Sequence, residues 1–278
     1  MNESFFYALA LLSVLGLISA LVLYFVAQKF KVEEDPRIDL VNECLPGANC
    51  GACGKAGCRD MAECIVKNKS TSVICPACTQ NEVSKIAEIL GIASEQKIKK
   101  IAVVRCAGGK KNSSQKVKFE GAANCAFANG LYGGENGCAY GCLGLGDCVK
   151  ACNFDAIHIN ELTALPEVEE DKCTACGACA RSCPRNIIEI RCKNEDSSRI
   201  YVRCMNQQKG AISTKVCKVS CIGCGKCVKV CPQSAISLNN NLAYINDTLC
   251  IHCRKCVEEC PTHALSIDFS GIITKNNA

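Results

Sequence analysis

Residues 220–238 read SCIGCGKCVKVCPQSAISL, and residues 249–267 read LCIHCRKCVEECPTHALSI. Each holds a C-x2-C-x2-C-x3-C-P run: Cys221, Cys224, Cys227 and Cys231 in the first, Cys250, Cys253, Cys256 and Cys260 in the second. A third run, Cys173, Cys176, Cys179 and Cys183, stands upstream in CTACGACARSCPRNIIEI. Thiolates at this spacing are the ligand pattern of cubane iron–sulfur clusters. Behind the last cysteine of each run a proline ends the wrap. Four residues then alternate as a short strand does, leaving one face to pack over a cluster. CNFDAIHI, from Cys152, repeats the form with Asn153 in place of the proline. The second half of the chain is therefore a fourfold internal repeat.

In the bacterial two-cluster pattern, three cysteines of one run hold one cluster and the fourth ligates the partner cluster. Cys221, Cys224, Cys227 and Cys260 are thus expected to hold one 4Fe–4S cluster, and Cys250, Cys253, Cys256 and Cys231 its neighbour. The upstream pair departs from the rule. GCLGLGDCVKAC (141–152) aligns with SCIGCGKCVKVC (220–231) but has Leu145 where Cys224 would stand. Cys138, four residues before Cys142, can supply the missing thiolate. The expected sets are then Cys138, Cys142, Cys148 and Cys183, and Cys152, Cys173, Cys176 and Cys179. IAVVRC, ending at Cys106, echoes IYVRC, ending at Cys204. Cys106, Cys125, Cys204 and Cys217 are left over. They read either as an extra cluster bridging the two units or as buried free thiols. Cys192 has no assignment.

Further upstream, LPGANCGACGKAGC places Cys50, Cys53 and Cys58 in one glycine-rich loop, and Cys75 follows in ICPAC. Glycines let backbone N–H groups approach sulfur closely. Three cysteines in one loop with a distant fourth suit a cubane better than the paired knuckles of zinc. Cys78 is an alternative to Cys75, and Cys44 and Cys64 read as small apolar residues. Val83–Leu90 reads as a short amphipathic helix and Ile101–Val104 as a strand.

From Ser4 to Gln28 there is no charged residue. At 1.5 Å per residue this run reaches roughly 35 Å, enough to cross a bilayer. Glu3 precedes it and Lys29 and Lys31 follow it, so the positive-inside rule puts the rest of the chain in the cytoplasm, on the inner face of the membrane. The expected organisation is an anchor at 1–28, a linker at 29–39, a four-cysteine module at 40–97 and ferredoxin-like units at 98–200 and 201–278. The fold class is α+β: one N-terminal transmembrane helix, a small Fe–S module and two tandem bacterial-type 2x4Fe-4S units.

Composition narrows the function classes. The 278 residues include 28 cysteines and no tryptophan. A chain of this length does not need disulfides for want of a core, and cysteines two or three residues apart cannot staple distant segments. The formal charge of +5 counts cysteines as neutral, whereas each oxidised cluster with its thiolates carries about −2. No basic run with interleaved aromatics suggests nucleic acid. His158, His252 and His263 stand singly beside complete cysteine sets and read as structural, or as tuning a cluster's potential, rather than as ligands. No Ser/His/Asp arrangement, dinucleotide fingerprint or phosphate loop is present. The chain reads as a conduit for electrons, with five clusters expected and room for a sixth.

The anchor, LPGANCGACGKAGC, GCLGLGDC and the consecutive ferredoxin runs together resemble the RnfB family, the iron–sulfur subunit of the Rnf complex, an ion-translocating ferredoxin:NAD oxidoreductase. The resemblance covers nearly the whole chain. It implies an electron-transfer subunit of a translocase that takes electrons from soluble ferredoxin and passes them to membrane and flavin-carrying subunits toward NAD. The ferredoxin units would be the entry and the first module, nearest the membrane, the exit, with the linker letting that module swing. Two other readings stand beside it: a polyferredoxin subunit of another anaerobic membrane oxidoreductase, and a part of a complex that reduces an iron–sulfur sensor.

Overall fold

The alternating segments behind the cysteine runs become strands, and the runs themselves become loops that end in single helical turns. The computed structural model describes residues 3–29, 35–51, 53–69, 75–93, 99–118, 123–192 and 198–269. It opens with α1 (Glu3–Lys29). Phe6, Leu11, Leu15, Ile18, Leu21 and Phe25 on this helix are all exposed. Among the described residues no helix is long and apolar enough to cross a membrane; the unbroken stretch of α1 with described side chains is 10–26. Within the expected linker, residues 30–34 lie outside the described residues, and α2 (Arg37–Cys44) begins at its far end.

α2, α3 (Cys58–Asn68) and α4 (Gln80–Leu90) form the first module. Their inward faces bring Val41, Met61, Ile65, Val83 and Ile86 together with Cys75 and Cys78. The reading of a helix over 83–90 is met by α4, which starts three residues earlier. Thr79 and Glu82 form a reciprocal capping box there, and Gly91 closes the helix in the left-handed region at φ 65°.

The remaining chain contains β1 (Lys100–Val104), α5 (Gly109–Asn112), α6 (Cys125–Leu131), α7 (Asp147–Lys150), β2 (Ile157–Ile159), β3 (Pro166–Val168), α8 (Ala178–Ser182) and β4 (Ile188–Cys192). There follow β5 (Ser198–Val202), α9 (Gly210–Val216), α10 (Lys226–Lys229), β6 (Ile236–Asn239), β7 (Leu242–Ile245), α11 (Lys255–Glu258) and β8 (Leu265–Phe269). Four antiparallel pairs result among the described residues: β1 with β4, β2 with β3, β5 with β8, and β6 with β7. β2, β4, β6 and β8 are the four strands expected behind the repeats. β3 and β7 are short return strands, and β1 and β5 pair with β4 and β8 in sheets of two strands each.

The two units follow one plan. Arg105 N donates to Ile187 O at 2.7 Å where β1 leaves its sheet, and Arg203 N donates to Ala264 O at 2.8 Å where β5 leaves its own. β1 is buried on both faces. Ala102 and Val104 pack on the cysteine-rich core of the first unit, while Ile101 and Val103 pack on Tyr201 of β5. Arg105 and Arg191, both nearly inaccessible, lie over the Tyr244 ring at 5.1 and 4.9 Å. The two units thus share a packed seam.

Candidate iron–sulfur sites

The loop geometry of each run follows from residues that tolerate the left-handed region. The third and fifth positions have positive φ in all four loops: Gly144 and Gly146, Ala175 and Gly177, Gly223 and Gly225, His252 and Arg254. A second left-handed residue stands three places after each fourth cysteine, at Asp155, Asn186, Ser234 and His263. These turns wrap the backbone round a hollow instead of filling it with side chains.

Among the described residues, five hollows lined by cysteine result. Cys221, Cys224, Cys227 and Cys260 line one of about 370 Å³. Cys231, Cys250, Cys253 and Cys256 line another of about 310 Å³, and Cys152, Cys173, Cys176 and Cys179 a third of about 330 Å³. In these three the cysteines brought together are those expected to share a cluster, including the crossover of the fourth cysteine.

The other two differ from expectation by an exchange. The hollow lined by Cys142, Cys148 and Cys183 contains Cys125, not Cys138. Cys138 faces a separate hollow of about 370 Å³ with Cys106, Cys204 and Cys217, and Cys142 lies on the wall between the two. The cause is local. Asp147 accepts from the backbone N–H groups of Cys125 at 2.9 Å and Ala126 at 3.2 Å, which pins the start of α6 against α7. Arg185 holds the loop carrying Cys138 from the other side, donating to the carbonyls of Cys138 at 3.0 Å, Gly141 at 2.5 Å and Gly133. Cys138 and Cys217 each stand four residues before an aligned cysteine, Cys142 and Cys221. That equal offset marks them as repeat-equivalent and was the signal for the exchange.

In the first module Cys50, Cys53 and Cys58 are half-buried and Cys75 and Cys78 buried. Cys53, Cys58, Cys75 and Cys78 belong to one core with α2–α4. Asn49, itself left-handed at φ 45°, accepts from Cys58 N at 2.8 Å and so closes the glycine-rich loop onto α3. A side chain at Gly57 would strike Asn49 Oδ1, its Cβ falling 2.9 Å away. Sequence reasoning missed Asn49, Asp147, Arg185 and Asn206, since none belongs to a cysteine motif.

The residues fit iron–sulfur clusters on two counts. Backbone N–H groups point at sulfur: Ala156 to Cys152 at 3.4 Å, Ala235 to Cys231 at 3.3 Å, Gly144 to Cys142 at 3.4 Å. Such donors favour the thiolate form. Among the described residues no three His, Cys, Asp or Glu converge tightly enough to hold a single metal ion; the sulfurs surround wider hollows. Burial pushes the thiols up, Cys148, Cys204 and Cys256 to about 12 and Cys179 and Cys227 to about 11. Cys138, Cys142, Cys217 and Cys250 move the same way for the same reason. Thiolates crowded here require a compact positive charge among them, which iron provides. Cys192, half-buried at the end of β4, lines none of the five hollows. His252 and His263 hold left-handed turn positions, while His158 faces Glu167 and Glu169 at 3.6 and 3.7 Å.

Comparison with known families and proteins agrees with this chemistry. A 4Fe-4S dicluster domain model matches residues 220–264, a 4Fe-4S binding domain model residues 166–189, and a putative Fe-S cluster model residues 45–77. The chain is 41% identical over 236 residues to the subunit designated B in the Na(+)-translocating ferredoxin:NAD(+) oxidoreductase complex of Acetobacterium woodii, covering 85% of this chain and 70% of the relative. It is 37% identical to the subunit of the same designation in the proton-translocating ferredoxin:NAD(+) oxidoreductase complex of Clostridium ljungdahlii, over 87% of this chain and 84% of the relative. The corresponding subunit of the ion-translocating oxidoreductase complex of Methanosarcina acetivorans is also 37% identical, over 86% and 89%.

Proposed function

From its membership of the RnfB family of iron–sulfur subunits of ion-translocating ferredoxin:NAD(+) oxidoreductase complexes, to which this chain belongs, we propose that the protein is the electron-transfer subunit of such a complex. It accepts electrons from reduced ferredoxin and relays them to membrane and flavin-carrying subunits on the way to NAD. The carrying observation is the set of hollows, each lined by cysteines from two or three separate segments. A cluster bound in such a hollow takes up and gives back one electron without transfer of atoms.

Cys221, Cys224, Cys227 and Cys260 hold one cluster, and Cys231, Cys250, Cys253 and Cys256 the next. Cys152, Cys173, Cys176 and Cys179 hold a third. Cys125, Cys142, Cys148 and Cys183 hold a fourth, with Asp147 fixing Cys125. Cys50, Cys53 and Cys58 hold the fifth, with Cys75 as fourth ligand and Cys78 three residues behind it. Cys224 and Cys253 are exposed, so the second unit offers cluster edges close to the surface, where a soluble donor can approach. α1 anchors the chain as a single membrane pass. The uncharged run from Ser4 to Gln28 and its exposed apolar side chains support this reading, and Lys29 and Lys31 after it favour a cytoplasmic position for the iron–sulfur domains.

The test is the full chain purified anaerobically in detergent, analysed for iron and acid-labile sulfide. At least about 20 of each per chain is expected, with rapid bleaching of the cluster absorbance on addition of reduced ferredoxin. Zinc in place of iron, or no reduction by ferredoxin, would overturn the reading.

A further inference from the structure

We propose that Cys106, Cys138, Cys204 and Cys217 hold an additional iron–sulfur cluster that joins the two ferredoxin-like units into one continuous path. The inference rests on the reading of the other hollows as cluster sites. None of these four cysteines falls within the segments matched by the family models, 45–77, 166–189 and 220–264.

The site has the symmetry of the repeat. Each unit gives one cysteine from the end of its extra strand, Cys106 after β1 and Cys204 after β5. Each gives a second from the residue four places before its first run, Cys138 and Cys217. The backbones of the two units are laced around them: Ala107 N donates to Arg203 O at 3.1 Å, Ser114 N to Val216 O at 2.9 Å and Lys218 N to Asn112 O at 2.9 Å. Four thiols scattered as apolar filler would show no such equivalence.

The surroundings are built for thiolate sulfur. Cys142 N donates to Cys106 Sγ at 3.3 Å. Asn206, 1% exposed, donates its backbone N–H to Cys204 Sγ at 3.4 Å and its amide Nδ2 to Cys138 Sγ at 3.5 Å. One buried asparagine thus serves sulfurs from both units. Gly108 gives the wall room: a Cβ there would lie 3.5 Å from Cys217 Sγ and 3.7 Å from Cys106 Sγ.

Position supplies the functional argument. Cys148 and Cys179, from the two hollows of the first unit, share one buried core, and Cys227 and Cys256 do the same in the second. The site proposed here connects the units: Cys142 N donates to Cys106 Sγ on one side, and Cys204 packs in one core with Cys221 and Cys227 on the other. The site shares Cys142 with a hollow of the first unit, and its lining residues Val219 and Ser220 run directly into Cys221, which lines a hollow of the second. Short hops between neighbours replace one long hop across the seam.

The experiment compares the full-length wild type with a Cys106→Ser/Cys217→Ser variant, both purified anaerobically, by iron and sulfide content and by Mössbauer area per chain. About 24 iron and sulfide in the wild type, falling to about 20 in the variant, is expected. About 20 in the wild type, or an unchanged count in the variant, would overturn the proposal while leaving the electron-transfer reading intact. If the variant does not fold, the wild-type count decides between about 24 and about 20. A wild type without iron and sulfide would remove both readings together.

Discussion

Arg185 stands two residues behind Cys183 and spends its guanidinium on the loop that carries Cys138, reaching Gly133, Cys138, Gly141 and the side chain of Asn129. Arg185→Met keeps the aliphatic stem but leaves three carbonyls without their donor, a loss of about 2–4 kcal/mol. Guanidinium-driven loss of cluster absorbance should occur at clearly lower denaturant; an unchanged midpoint would mean that the loop is held by other contacts. A second contrast concerns the left-handed positions. A Cβ on Gly223 would fall 2.8 Å from Asn241 O and 2.9 Å from Asn241 Cα, so Gly223→Ala is expected to cost about 2–4 kcal/mol. His252 holds the same loop position at φ 55°. His252→Gly should therefore change stability by no more than about 1 kcal/mol and leave the iron count as it was. Loss of iron from His252→Gly would make that histidine a ligand.

At the scale of elements, the four loops are one design used four times, and the strands behind them were legible as period-two segments. What departs from the design is the inserted chain between Cys106 and Cys142, which supplies α5 and α6 and delivers Cys125 to the place that Leu145 vacates. No spacing rule announces this, because Cys125 reaches the hollow through the carboxylate of Asp147, a residue that in sequence marks only the start of a helical turn. α1 is the proposed anchor. Deletion of residues 1–28, in cells lacking the other subunits, should move the protein from the carbonate-washed membrane pellet to the supernatant with its iron retained. Persistence in the pellet would place the attachment elsewhere in the chain.

At the scale of the molecule, a buried network locks the two units together. Arg105 meets Glu189 at 2.5 Å, and Arg191 meets Glu189 at 3.1 Å and Asp247 at 2.6 Å. Glu189→Gln removes the carboxylate that Arg105 and Arg191 share and leaves Asp247 to Arg191, a loss of about 3–5 kcal/mol. Proteolysis should then separate the units before either is degraded; intact resistance would show that apolar packing of β1 against Tyr201 suffices. By itself the sequence pointed to the iron–sulfur chemistry, to the three regular cysteine groupings that line common hollows and to the four strands behind the repeats. It could do so because spacing within each run groups three cysteines and the repeat of runs supplies the fourth, while left-handed turns shape the loop around them. The tertiary structure alone decided between Cys125 and Cys138, and placed Cys106 and Cys204 opposite each other at the seam. Those choices depend on two strand ends far apart in the chain, on the pull of Asp147 and Arg185 on their loops, and on a buried amide at Asn206. Each is a contact across the fold and leaves no periodic trace along the chain.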